Sequence, residues 1–411
     1  MPRAAALTLA LSVGLSMPTA AEAQHDVLGH LLPDSARLST ADLHGVTNLL
    51  AGFVADGKIA GAVAAVARDG RLGYLQAVGF QDLETRTPMT ARSLFRIYSM
   101  TKPITAVAVM MLHEEGKFEL SDPVATYLPE FRDVRVFGPA EGETRPPARP
   151  VTIEDLLLHT SGLNHRTSEL YRNEQVRSRS DDLPPFVTKI ASVPLMEDPG
   201  TRFRYSESST VLGRLVEIWS GRPFDAFLDE RIFRPLGMID TGFHVGPGEV
   251  SRLATVYRSV DGRLAAHQIE EVPFTEEDAL PEGAVGLVST VPDFLRFAQM
   301  LLNRGELNGI RLLESSTVDA MTRNGLSDQV LALRAGATGW GLGNVTVLLE
   351  PDRLDYPANA GEYGWDGSAG TVFWIDPTFR TITVLMLQSS PAFPDSLRQR
   401  FRRALDPAIL R

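Results

Sequence analysis

Cysteine is absent from all 411 residues. Its absence excludes disulfides, thiolate nucleophiles and thiolate metal ligands, and it leaves core packing to hold the fold. A basic surface is lacking as well. With 51 acidic against 40 basic residues, the formal charge of −11 has the wrong sign for a nucleic-acid partner. Outside the N-terminus no apolar run is long enough to span a bilayer. Lysine is nearly missing, since only Lys58, Lys102, Lys117 and Lys189 occur and the other basic residues are arginine. Arginine keeps its proton inside proteins, whereas a partly buried lysine can release it and act as a base.

What is present bounds the architecture. A chain of 411 residues with 44% hydrophobic content can bury a full core and is expected to form two structural lobes. Arg3, the apolar run at 4–15 and the small-x-small triplet Ala21-Glu22-Ala23 read as a signal peptide over 1–23. The expectation is cleavage after Ala23 and export to the periplasm, where a cysteine-free protein loses nothing.

An interrupted α/β pattern follows. Residues 40–54 carry apolar side chains at helical spacing behind a Ser39-Thr40 capping signal. Residues 62–67 and 72–78 read as strands joined by Asp69-Gly70, a hairpin turn. Residues 104–112 are apolar on all sides, which marks a buried central helix ending near Gly116, and Pro103 suits its first turn. The Gly- and Pro-rich stretch 136–150 and the polar stretch 164–185 read as loops. Helices are expected at 153–158, 211–219, 224–232 and 292–303, then strands at 343–349, 371–375 and 381–388, and a last helix at 395–405. The fold class is therefore α/β in the α+β sense. An antiparallel sheet of five or more strands, flanked by helices, is built from both chain ends (24–130 and 290–411), with a mainly helical lobe inserted at 131–289.

Three segments carry chemistry. Ser99-Met100-Thr101-Lys102 places a hydroxyl and an amine one helical turn apart on one face, within proton-exchange reach. S-x-x-K also arises by chance, so the motif needs company. Company comes from Tyr205-Ser206-Glu207 after the Asp198-Pro199-Gly200-Thr201 turn, and from Gly364-Trp365-Asp366-Gly367-Ser368-Ala369-Gly370 leading into a strand. Competing motifs fail. No G-x-S-x-G elbow exists for an α/β-hydrolase, and His113-Glu114-Glu115 lacks the second histidine of a zinc protease. His159 and His165 read as structural or loop residues, with no third ligand nearby.

On these residues the chain resembles the serine β-lactamase-like superfamily, and most of all the class C β-lactamases and the family VIII carboxylesterases. The likeness runs over roughly residues 41–405 and includes Leu158-His159-Thr160-Ser161-Gly162-Leu163 and Arg234-Pro235-Leu236-Gly237-Met238. The family pattern is S-x-x-K, then Y-x-N, then K/H/W-x-G on an edge strand of the substrate cleft. The resemblance implies a β-lactamase/transpeptidase-like fold and catalytic Ser99, Lys102 and Tyr205. It also implies an oxyanion hole from the amides of Ser99 and Ser368, a substrate wall including Trp365, Asp366 and Gly367, and no metal or organic cofactor. The implied reaction is an acyl-serine intermediate followed by hydrolysis of a small ester or amide.

Elementary chemistry supports the same assignment. A serine hydroxyl is a weak nucleophile until a base takes its proton. Lys102, buried near the positive end of a helix, has two reasons to lose its charge. Two departures then shape specificity. Trp365 removes the cation that would hold a β-lactam or peptide carboxylate, and Asp366 adds negative charge, so both point to neutral short-acyl esters. Glu207 stands where asparagine is usual. It is a candidate substrate or deacylation-water contact, a charge that raises the Lys102 pKa, or an outward-pointing residue. The preferred reading is a carboxylesterase. The alternatives are a class C-like β-lactamase or D-amino-acid peptidase, and a non-catalytic binding protein on the same fold. Oligomeric state is not encoded in these features.

Overall fold

The computed structural model describes residues 36–334 and 336–409, so the expected signal peptide at 1–23 lies outside the described residues. The backbone of the fold is one eight-stranded sheet. In chain order its strands are β1 (Gly61–Arg68), β2 (Arg71–Asp82), β3 (Thr87–Pro88), β4 (Thr338–Trp340), β5 (Thr346–Leu348), β6 (Tyr363–Gly367), β7 (Thr371–Asp376) and β8 (Thr381–Leu387). Their spatial order is β4-β5-β6-β7-β8-β1-β2-β3, with every neighbouring pair antiparallel. N-terminal and C-terminal strands meet where β1 pairs with β8, from Ala62 opposite Leu387 to Arg68 opposite Thr381. β1 is buried along its whole length, which is why it reads as a continuous apolar run rather than an alternating one.

Five helices position the site: α1 (Thr40–Ala55), α2 (Thr101–Glu114), α3 (Ser208–Ser220), α4 (Val291–Leu302) and α5 (Leu397–Leu405). The two-residue period of β1 sorts its side chains. Ala62, Ala64 and Val66 join Leu43, Val46 and Leu50 of α1, together with Phe401 of α5, in one core. Val63, Ala65 and Ala67 face α4 and the larger core on the opposite side. Ser39 caps α1 by accepting from the Asp42 amide at 3.4 Å. Helix α2 is buried from Thr101 to Leu112 and packs against α3, away from bulk solvent on all sides.

Differences from the sequence reading cluster in the middle of the chain. The stretch expected as loop at 164–185 contains the helix Glu169–Asn173 and the start of the helix Leu183–Ser192. The prolines at 184 and 185 sit in the first turn of the latter, where their missing N–H groups cost nothing. The helix expected at 224–232 is α-helical only over Phe224–Leu228 and widens into a π turn at Asp229–Phe233. A hairpin of Tyr257–Val260 with Arg263–Ala266, paired to Ser389–Ser390, was not expected. Among the described residues no helix is long and apolar enough to cross a membrane.

Candidate active site

Ser99 lies in a short 3-10 turn, Tyr98–Met100, which feeds straight into α2. Tyr98, the residue before it, holds a left-handed backbone at φ 43°, a conformation that is costly for a tyrosine and keeps the turn tight. Three residues on, the Lys102 amine stands 3.5 Å from the Ser99 Oγ. That is long for a hydrogen bond, as nucleophile–base contacts often are before a substrate binds. Lys102 donates at 2.9 Å to the carbonyl of Ala284. The segment carrying that carbonyl is clamped to α2 by Thr105 Oγ1 donating to Gly283 O at 2.8 Å and by the Leu287 amide donating to Thr101 Oγ1 at 3.1 Å.

Lys102 is wholly buried. Burial lowers its pKa to about 7; Arg166 pushes in the same direction, while Glu207, Glu282 and Asp366 oppose. An amine that is half neutral at neutral pH can accept a serine proton. The Lys102 Nζ also lies 4.5 Å from the centroid of the Tyr205 ring. Burial raises the Tyr205 phenol above its ordinary value, against the smaller opposing effect of hydrogen bonding toward Ser99 and Trp365. Tyr205 therefore keeps its proton at neutral pH and serves as a donor. The Trp365 indole Nε1 donates to the Tyr205 hydroxyl at 3.1 Å, fixing where that hydroxyl sits.

The strand β6 brings the third motif to this cluster. β6 is third from the sheet edge, not an edge strand, but β5 pairs only with its Tyr363 and Gly364. Trp365, Asp366 and Gly367 are left with β7 on one side alone, so the free edge is local. Gly367 packs against the carbonyl of Ile97; a Cβ there would lie 2.3 Å from that oxygen. The Thr371 hydroxyl donates to the same carbonyl at 3.2 Å. Together these contacts dock the end of β6 onto the segment that carries Ser99. Ser368 is in the turn out of β6, not on a strand as expected, and is exposed. That turn closes with the Gly370 amide donating to Gly367 O at 3.0 Å.

Two expected substrate contacts are corrected. Asp366 alternates with Trp365 and Gly367, so it faces the other side of the sheet, where Arg398 of α5 pairs with it at 2.5 Å. Arg398 offsets its charge there, and only a minor upward effect of Asp366 reaches Lys102. Glu207 neither points outward nor presents a surface, because it is fully buried at the start of α3. One carboxylate oxygen accepts from Thr210 Oγ1 at 3.3 Å and the other, Oε1, has no hydrogen-bond partner among the described residues. It acts on the site as a buried charge that props up the Lys102 pKa.

The sequence reading missed most of the aromatic wall. Trp340 stands edge-on to Trp365, with centroids 4.6 Å apart, and donates from Nε1 to Leu157 O at 3.2 Å. His165 stacks on Tyr205 at 5.6 Å, and His159 lies 4.9 Å from the same ring. Burial, helped by the Lys102 charge, drives the His159 imidazole well below its usual range, so it is neutral packing rather than a base. Trp340 lies between Gly339 and Gly341, a pattern that could have drawn notice.

Comparison with known proteins agrees with this geometry. The family description Beta-lactamase matches residues 46–406. Protein Rv1367c of Mycobacterium tuberculosis is 35% identical over 349 residues, covering 82% of this chain and 87% of that protein. Esterase EstB of Burkholderia gladioli is 32% identical over 360 residues, covering 81% and 86%. The solved structure of EstCE1, described as a hydrolase with promiscuous acyltransferase activity, superposes with a TM-score of 0.79 at 27% identity, covering 91% of this chain and 100% of that one. With the family match spanning most of its length, and the serine, lysine and tyrosine gathered at one cleft, the chain belongs to the Beta-lactamase family and is a serine hydrolase.

Proposed function

We propose that the protein is a carboxylesterase that cleaves short-acyl esters through an acyl-serine intermediate. The observation that carries this reading is the Trp365 indole hydrogen-bonded to the Tyr205 hydroxyl, at the place where a carboxylate-binding cation would stand. Lys102, neutral in part at pH 7, takes the proton from Ser99 Oγ as the oxygen attacks the acyl carbon. The amides of Ser99 and Ser368 receive the developing oxyanion, a contribution of about 3 kcal/mol for one well-placed donor. Tyr205 passes a proton to the departing alkoxide and is recharged from Lys102. Water then enters by the reverse relay, and the acid leaves. The esterase name of EstB and the hydrolase description of EstCE1 support the same substrate class.

The test is a series of p-nitrophenyl esters of graded acyl length run beside a chromogenic cephalosporin, with intact-mass analysis after a fluorophosphonate probe. Ester turnover with a single adduct on Ser99 is expected. Cephalosporin turnover with inert esters would assign a β-lactamase, and no adduct would assign a binding protein. Export belongs to the same proposal, supported by Arg3, the apolar run at 4–15 and Ala21-Glu22-Ala23. N-terminal sequencing of periplasmic protein should begin at Gln24.

A further inference from the structure

Beside the catalytic turn lies a cavity of about 660 Å³ whose wall carries Arg166, Arg172, Arg177, Arg179, Lys189 and Glu270, with exposed Glu271 at its rim. Its volume is far beyond that of one water and within the range of small-molecule sites. The buried charges around it do not balance. Arg177 donates to Glu270 at 2.8 Å and to Glu282 at 2.7 Å. Arg179 reaches the already engaged Glu282 at 3.3 Å and lies over the Phe274 ring at 4.2 Å, with Arg96 also packed on that ring at 5.7 Å. Arg166 pairs with Glu270 at 3.6 Å, beyond hydrogen-bond reach, and lies over the Tyr98 ring. Three guanidiniums, those of Arg166, Arg177 and Arg179, thus share two carboxylates, in a chain whose overall charge is −11. Among the described residues, Nη1 of Arg166 and Nη2 of Arg179 have no hydrogen-bond acceptor. Burial outweighs both glutamates at Arg179 and leaves its guanidinium below the ordinary value, the mark of a cation short of counter-charge. At the rim, Lys189 is satisfied by Asp181 at 2.6 Å, whereas exposed Arg172 donates to a backbone oxygen, Thr167 O.

The cavity is coupled to the site through the chain itself. Tyr98 precedes Ser99, His165 on the Tyr205 ring precedes Arg166, and Glu282 lies two residues before the Ala284 carbonyl that holds Lys102. We propose that this arginine-walled cavity binds a small organic carboxylate, with Arg166 and Arg179 on its wall and Arg172 at its mouth. The carboxylate is either the far end of the substrate's acyl chain, a source that rests on the ester-hydrolase reading, or a separate molecule. On the other flank of the cleft Trp365 itself carries no charge, and Arg334 is spread over the Phe203 and Trp340 rings.

Two arms distinguish the sources. In the first, the mono-p-nitrophenyl ester of glutaric acid is compared with the valerate ester, which has the same chain but no charge. A substrate-borne carboxylate should raise kcat/KM about ten-fold or more, the worth of one charge-assisted contact, and R166Q or R172Q should shrink that gap. In the second, succinate and uncharged succinamide are added at constant ionic strength while the melting temperature is followed. A separate ligand should raise it saturably for succinate alone, and less in R172Q, whose exposed position leaves folding intact. Equal kinetics for the two esters, together with equal melting responses to succinate and succinamide, overturns the proposal. Failure to cleave either ester sinks the esterase reading instead and leaves the melting arm standing.

Discussion

Replacing Lys102 by methionine should give a protein that is inactive yet more stable than the parent. In the fold the amine falls from 10.5 to about 7 because it is wholly buried. Its protonated form is therefore disfavoured relative to the unfolded chain, and at pH 7 keeping an ionisable group there costs about 4 kcal/mol against a neutral side chain of similar shape. Methionine removes that cost but orphans the Ala284 carbonyl that Lys102 binds at 2.9 Å, a loss of about 1–3 kcal/mol. The net expectation is a gain of about 1–3 kcal/mol near neutral pH, with ester turnover down about 10³-fold or more. Because the folded pKa is depressed, the penalty is complete below about pH 7 and vanishes as pH rises toward 10.5. Urea unfolding of both proteins at pH 6.5 and 9.5 should show the stability gap closing. A variant less stable than the parent at the lower pH would mean that the amine is a satisfied structural cation, not a desolvated base.

Lys102→Arg keeps a permanent charge in the same pocket, so it should lose both activity and stability; an active, stable arginine variant in the same two assays would remove the base assignment. The log of kcat/KM for a neutral ester should climb with pH and level off above about 7, the value burial imposes on Lys102, and Glu207→Gln should move that inflection lower because the carboxylate raises it. A pH–rate profile unmoved by the substitution would count against Glu207 as the tuning charge. Gly367→Ala places a Cβ 2.3 Å from the Ile97 carbonyl, which must push β6 away from the serine; at least a ten-fold fall in kcat, from about 1.4 kcal/mol of lost positioning, should appear in steady-state kinetics without loss of the fluorophosphonate adduct on prolonged exposure.

Periodicity made the sheet's centre legible, because β1, β7 and β8 are buried on both faces and read as mostly apolar runs without polar alternation. The convergence of Ser99, Lys102 and Tyr205 was legible for another reason, since the proposed nucleophile, base and relay need particular side chains at particular spacings. The strand β6 was harder to read, as two glycines in Tyr363-Gly364-Trp365-Asp366-Gly367 weaken any strand signal and only pairing with β7 makes it one. The side of the sheet taken by Asp366 follows from Arg398 of α5, a contact between distant parts of the chain. Glu207 defied composition altogether, because a buried carboxylate with only one oxygen hydrogen-bonded among the described residues is a rare place for a glutamate. The aromatic wall failed to announce itself for the opposite reason, since tryptophan and histidine in a core look ordinary until their rings are seen converging on one phenol.

The pairing of β1 with β8 has a consequence for how the protein is made. A strand synthesised early finds its partner only when nearly the whole polypeptide exists, Ala62 waiting for Leu387. Until then the β1–β2 hairpin offers an uncovered apolar ribbon with one unsatisfied row of amides, a target for mispairing with a second nascent molecule. Such long-range closure slows folding, and it makes the last strand a switch for solubility as well as for shape. Deleting residues 381–409 should therefore yield aggregates rather than a smaller stable particle, even though every residue of the Ser99, Lys102 and Tyr205 cluster would still be encoded.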